Sequence, residues 1–362
     1  MDQKMIKTLG AIIAGFAVFI IVLFFVSSCT NTKYTYEKLE EKMMKIAMSY
    51  YDANKKELPQ QDKDTKSLTL KKMISDGKIE ELSELFDDEN IKCDGNVTVT
   101  NNNGHYLYSP YLSCGDDYET KYLADKIIDD SLVESGVGLY ANGDAYVMKG
   151  EVLNNYVKMG EKMFRIIGIN EDGTIRLFEL SGMQQIVWDD RYNPDNNYNS
   201  GLNEYYFNNI NSRIKQSLEE YYDSDTWTEE MKPYLSTFDL CVGKRSSADI
   251  TKDGSAECSQ KLEGQVLGLL STHEYLQASL DKNCVATLDK TCRNYNWFGN
   301  LDLGVWTITA DAETSRSVYI MYKSLSLNTA SGFAYANVVV NLSDKAIYVD
   351  GDGTEKNPYT FR

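Results

Sequence analysis

The chain has 362 residues, 42% of them hydrophobic and 25% charged, with a formal net charge of −17. That length exceeds one typical domain and suits two folded units plus an anchor. The acidity argues against nucleic acid as a partner and against a body lying flat on anionic lipid, since both present phosphates to a surface of like sign.

Residues 1–8 read as a short cytoplasmic tail carrying Lys4 and Lys7. Residues 9–26, LGAIIAGFAVFIIVLFFV, contain no charge. A helix crosses a bilayer core of about 30 Å in roughly 20 residues, so segment 9–29 is long enough to span. The lysines before it place the N-terminus inside and everything after Thr30 outside. Three fates compete. The helix is retained, or Val26-Ser27-Ser28-Cys29 acts as a bacterial lipobox and Cys29 carries lipid, or the segment is cleaved as a signal peptide, whose apolar core is normally about 7–15 residues.

The chain has seven cysteines. Cys29 sits at the membrane edge and is the expected unpaired one. The other six are Cys93, Cys114, Cys241, Cys258, Cys284 and Cys292. Six cysteines pair in fifteen ways, and sequence alone does not choose. Neighbours in sequence suggest Cys93–Cys114, Cys241–Cys258 and Cys284–Cys292. An anchor followed by an even set of cysteines fits an oxidising exterior. No C-x-x-C occurs and the only histidines are His105 and His273, so zinc spacing is absent.

Residues 30–136 form the first predicted module. TYEKLEEKMMKIAMSYYDAN predicts a helix with Leu39, Met43, Ile46 and Tyr50 on one apolar stripe. LTLKKMISDGK predicts a short helix and a turn at Asp76-Gly77. NVTVT and YLYSPYL alternate around Asn101-Asn102-Asn103-Gly104, which predicts a hairpin between Cys93 and Cys114. A membrane helix, connecting helices and a cysteine-stapled hairpin together resemble the layout of type IV pilins and pseudopilins. The resemblance covers about residues 5–125. Pilins carry Gly-Phe-Thr-Leu-x-Glu before the apolar run; this chain has Gly10-Ala11-Ile12-Ile13 and no glutamate inside the helix.

Residues 137–362 form a second, β-rich module. Runs 163–169 and 174–180 flank Asn170-Glu171-Asp172-Gly173 and predict a hairpin. Residues 211–222 predict a helix with Ile214, Leu218 and Tyr221 or Tyr222 inward. QVLGLLSTHEYLQASL predicts a strand and then a helix. VWTITAD, SVYIMYKSL and FAYANVVVNLS predict strands. The pieces FRIIGINEDGTIRL, VWDDRYN, GLLSTHEYLQAS, VWTITA and NVVVNLS resemble C-type-lectin-like surface domains of the formylglycine-generating-enzyme kind in Gram-positive bacteria. The expected class is therefore α+β: an N-terminal transmembrane or extended helix with a small stapled module, then a lectin-like domain.

Candidate ligand residues are Trp188, Asp189 and Asp190, which faintly resemble a lectin calcium strand, with Tyr192 and Tyr198 in the following Tyr- and Asn-rich loop. Asp350 and Asp352, with Glu355, are a weak calcium candidate. They miss EF-hand spacing, and a Gly-rich hairpin accounts for them equally. No other cofactor is expected. His273 and Glu274 begin a helix, and two histidines leave few general bases near neutral pH. The sequence thus predicts a non-enzymatic, membrane-anchored extracellular binding or adhesion protein for glycan or protein. A pilin-like subunit, with self-assembly, is the alternative.

Overall fold

The computed structural model describes residues 34–196 and 199–362. The predicted span 9–29, Cys29 and Tyr198 lie outside the described residues. Among the described residues no helix is long and apolar enough to cross a membrane. The fold is mixed α+β and mostly β-sheet, with two hydrophobic cores. The cysteines pair as neighbours, Cys93–Cys114, Cys241–Cys258 and Cys284–Cys292.

The smaller core is built on helix α1 (Tyr36–Ala53), capped by the Thr35 side chain, which accepts from the Lys38 amide. Its buried positions are Leu39, Glu40, Met43, Ala47 and Tyr51. The predicted stripe is therefore rotated: Ile46 and Tyr50 are only half-buried and line a groove beside the helix. Ala47 replaces them inside because its small side chain lets the helix approach the sheet closely. That sheet has β1 (Thr65–Thr69), which precedes α2 (Leu70–Ser75) and α3 (Leu82–Phe86), then β2 (Asp94–Asn102) and β3 (His105–Ser113). Leu68 and Thr69, which open the predicted short helix, belong instead to β1, which pairs antiparallel with β2, and Thr69 then caps α2. The predicted β2–β3 hairpin forms, turning at Asn103 and Gly104 with φ of 52° and 86°. Both lie in the left-handed region that Asn-Gly supplies cheaply.

In the larger body, α4 (Leu123–Ser131) is followed by β4 (Gly138–Asn142), β5 (Ala145–Lys149), β6 (Tyr156–Met159), β7 (Lys162–Ile169), β8 (Ile175–Glu179) and β9 (Met183–Val187). Next come β10 (Tyr206–Phe207), β11 (Ile210–Asn211), α5 (Arg213–Asp223), β12 (Leu235–Ser236), β13 (Phe238–Cys241), β14 (Lys244–Arg245), β15 (Lys261–Gln265), β16 (Gly268–Leu269) and α6 (Thr272–Gln277). The chain closes with β17 (Val305–Asp311), β18 (Ser317–Tyr322), β19 (Ser324–Thr329), β20 (Phe333–Ala336), β21 (Val338–Leu342), β22 (Tyr348–Asp350) and β23 (Thr360–Phe361). One sheet runs β12-β21-β8-β7-β5-β4, with β16 also on β21 and β6 also on β7. A second runs β19-β18-β17-β20-β9, with β14 on β17. Every residue of β17 and β21 is buried, the polar Thr307, Thr309, Asp311 and Asn341 along with their apolar neighbours.

The run FAYANVVVNL, written as one strand, divides between the two sheets. Asn337 makes the break: its side-chain amide donates to the carbonyls of Glu179 (2.9 Å) and Leu180 (3.0 Å). Leu123, Ala124 and Ile127 of α4 pack into this larger core. The two bodies join at a buried carboxylate. Glu40 of α1 accepts from Tyr118 Oη (3.0 Å), from Thr120 Oγ1 and from the Arg362 guanidinium at the C-terminus. Asn102 donates to the Pro233 carbonyl (2.6 Å) and Ser109 to that of Lys345 (2.9 Å), adding neutral ties.

Candidate ligand-binding cleft

The lectin-like candidates are split by the fold. Trp188 is fully buried, its ring 5.9 Å from Trp306 and 6.1 Å from Tyr205. Asp189 is buried too and grips the Arg191 guanidinium through both oxygens, with Nε at 2.8 and 3.1 Å. Asp190 is exposed and pairs with Arg213 at 3.2 Å. Tyr192 is exposed. The loop is shaped by asparagines acting on backbone: Asn193 donates to the carbonyls of Gly201 and Ser315, and Asn203 to those of Asp311, Thr314 and Ser317. Trp188 and Asp189 thus build the loop from inside, and Asp190 and Tyr192 are what it presents.

Asp350 and Asp352 serve turns. Asp350 accepts from the Gly351 amide (2.8 Å), and Asp352 from the amide and hydroxyl of Thr354 (3.0 and 2.7 Å). No group of three or more His, Cys, Asp or Glu side chains converges among the described residues.

A cleft of about 570 Å³ opens instead where β8, β13, β21 and the start of α6 meet. Helix α6 begins with a capping box. Ser271 Oγ accepts from the Glu274 amide, and the Glu274 carboxylate accepts from the Ser271 amide at 2.7 Å. That box holds Glu274 facing the sheet, where Arg176 Nε of β8 donates to it at 2.9 Å. Arg176 Nη1 reaches Asn341 Oδ1 of β21 at 3.2 Å, and the guanidinium lies 4.4 Å from the Phe238 ring centroid. Burial opposes ionisation of Glu274. Arg176, with His273 and the Ser271 bonds, outweighs it and holds the carboxyl below the usual carboxylate range.

The other side of the capping box carries His273. Its Nδ1 lies 2.9 Å from Ser271 Oγ and 3.8 Å from Glu257 Oε2. A charge-relay arrangement uses opposite ring nitrogens for the hydroxyl and the carboxylate. Here both face the same nitrogen, and Ser271 Oγ is engaged as a helix cap. Glu257 is fully buried and bound by the equally buried Arg245 at 3.1 Å. The Cys241–Cys258 bridge forms part of the cleft rim.

Sequence spacing puts Glu274 at a helix start but does not join it to Arg176, which lies in the predicted run 174–180. The Ser-x-x-Glu spacing in STHE was the available signal, since it fixes where Glu274 points. Its partners Arg176 and Asn341 lie far away in sequence, and only strand pairing brings them together.

The fold and cleft define a disulfide-stapled α+β protein whose second body presents a polar, aromatic-backed recess. Compared with protein-family models, with curated proteins and with solved structures, the chain matches none.

Proposed function

We propose that this chain is a non-enzymatic binding protein that recognises a glycan at an extracellular surface, held to the membrane by segment 9–29. The observation that carries the reading is the cleft around Arg176, Glu274, Asn341 and Phe238. Planar donors and acceptors fixed by one another, beside an aromatic face, match the hydroxyls and C–H faces of a sugar ring. The three disulfides favour an oxidising compartment, in keeping with an ectodomain. The second body is assigned a lectin-like role on the same ground, with protein ligands as the competing class.

The test is saccharide binding to the full chain, wild type against Asn341→Ala and Arg176→Lys. The lysine keeps the charge but loses the fork that spans Glu274 and Asn341. A drop of about tenfold in affinity in each is expected, the loss of roughly one directed hydrogen bond. Saccharide binding untouched by both variants would sink the assignment of this cleft.

A second reading, a pilin-like subunit, is favoured by one feature: α1 packed along a three-stranded antiparallel sheet directly after the membrane segment. Sheared surface filaments containing the chain would support it. Recovery of the chain solely in the membrane fraction would count against it.

A further inference from the structure

Further along α6, at its C-terminal end, lies a separate pocket of about 490 Å³. Val147 and Lys149 of β5, Lys252, and Leu276 and Gln277 of α6 line it, together with Asn142. Lysines half-buried elsewhere in this body sit against carboxylates, as Lys162 does with Glu179 (2.8 Å) and Lys244 with Glu204 (2.9 Å). Lys149 and Lys252 do not: among the described residues neither is in an ion pair. The Lys149 ammonium lies 5.2 Å from the centroid of the Tyr140 ring, and Lys252 donates to the Cys284 carbonyl. Asp253 borders the pocket, but its carboxylate accepts from the amide (2.9 Å) and hydroxyl (2.6 Å) of Ser255. Asp289 acts on Lys252 only at longer range and caps Thr291.

Burial pushes the Lys149 ammonium below the usual lysine range. Burial and then repulsion from Lys149 do the same to Lys252. The pocket therefore holds two cations that disfavour each other and are short of counter-charge, a situation an anion relieves. The rest of the chain, at −17, repels anions, so attraction here is local and not a property of the whole surface. Val147 and Leu276 supply an apolar floor suited to the C–H face of a sugar ring.

We propose that Lys149 and Lys252 form an oxyanion-binding site that takes the carboxylate of an acidic sugar. This goes beyond the neighbouring cleft around Arg176 and Glu274 and does not depend on it.

The test titrates the full chain with glucuronate, inorganic phosphate and glucose, followed by calorimetry or by the lysine side-chain NMR signals. The variants are Lys149→Met with Lys252→Met, the matching Lys→Arg pair, and Lys66→Met on exposed strand β1 as control. Saturable glucuronate binding is expected, with glucose not binding in the same range. The Met pair should weaken glucuronate at least tenfold, the Arg pair should restore most of it, and Lys66→Met should change nothing. The Arg pair also guards against a Met pair that merely fails to fold. Absence of saturation by either anion, or binding unchanged in the Met pair, would overturn the site. Phosphate binding tighter than glucuronate would overturn the acidic-sugar assignment. Asn341→Ala, which probes only the Arg176–Glu274 cleft, should leave glucuronate binding intact, so the two readings fail separately.

Discussion

Removing the Arg362 side chain should cost this fold more than removing its partner Glu40, although the same ion pair is lost. Glu40 has no exposed surface, whereas the Arg362 side chain keeps 28% of its own. Arg362→Ala strands a carboxylate out of water with only the Tyr118 and Thr120 hydroxyls to bind it. An uncompensated buried charge costs about 3–5 kcal/mol. Glu40→Ala leaves a guanidinium that can turn to solvent, so its cost is nearer the 1.5–3 kcal/mol of lost charged hydrogen bonds. The double variant buries no charge, so it should be more stable than Arg362→Ala alone. That sign is what additivity does not give, and the cycle should return a coupling larger in magnitude than the Glu40→Ala cost itself, above about 1.5–3 kcal/mol. Urea unfolding of the chain from Tyr34 onward measures it, read by two probes. All four tryptophans lie in the larger core, so their fluorescence reports that body, and amide hydrogen exchange within α1 reports the smaller one. Arg362→Ala should separate the two transitions. A double variant less stable than Arg362→Ala, or a loss below about 1 kcal/mol in the latter, would refute the junction as a buried charge pair.

Acid should weaken the cleft through Glu274. Its folded pKa lies below its unfolded value of about 4.3, so its contribution is complete above that value and is lost as pH falls through the folded one. Unfolding free energy measured from pH 6 down to 3 should fall more steeply in wild type than in Glu274→Gln, and parallel curves would contradict this. Gly201→Ala should strongly destabilise the loop after Trp188. Gly201 has φ of 66°, and an added Cβ would meet the Asp189 carbonyl oxygen at 1.6 Å. Thermal melting should drop by several degrees, and an unchanged melting temperature would mean the loop adopts another path. Opening the Cys241–Cys258 loop, 17 residues apart, with a paired Cys→Ser change should cost about 3 kcal/mol from chain entropy, checked by denaturant titration.

Much of this architecture was written locally. The α+β class, the β2–β3 and β7–β8 hairpins and helix α5 follow from turn residues and alternation, and short cysteine spacings suggest the neighbour pairing that the fold then makes. These depend on contacts a few residues apart, so a linear reading reaches them. What a linear reading missed depends on partners far away. The α1 face turned by one position because Ala47, not Ile46, meets the sheet. FAYANVVVNL divided because Asn337 found two carbonyls more than 150 residues earlier. Trp188, a candidate ligand residue from sequence, lies inside because Trp306 from a distant strand packs on its ring.

The sequence by itself determined the charge balance, the apolar segment 9–29, the cysteine inventory and the local turns, since each is a property of composition or of adjacent residues. Only the tertiary structure decided which polar groups meet. Arg176, Glu274 and Asn341 come from three separate elements, and Lys149 and Lys252 from two. Side-chain chemistry is encoded one residue at a time, but a site needs strand register and helix docking to set the distances between such residues.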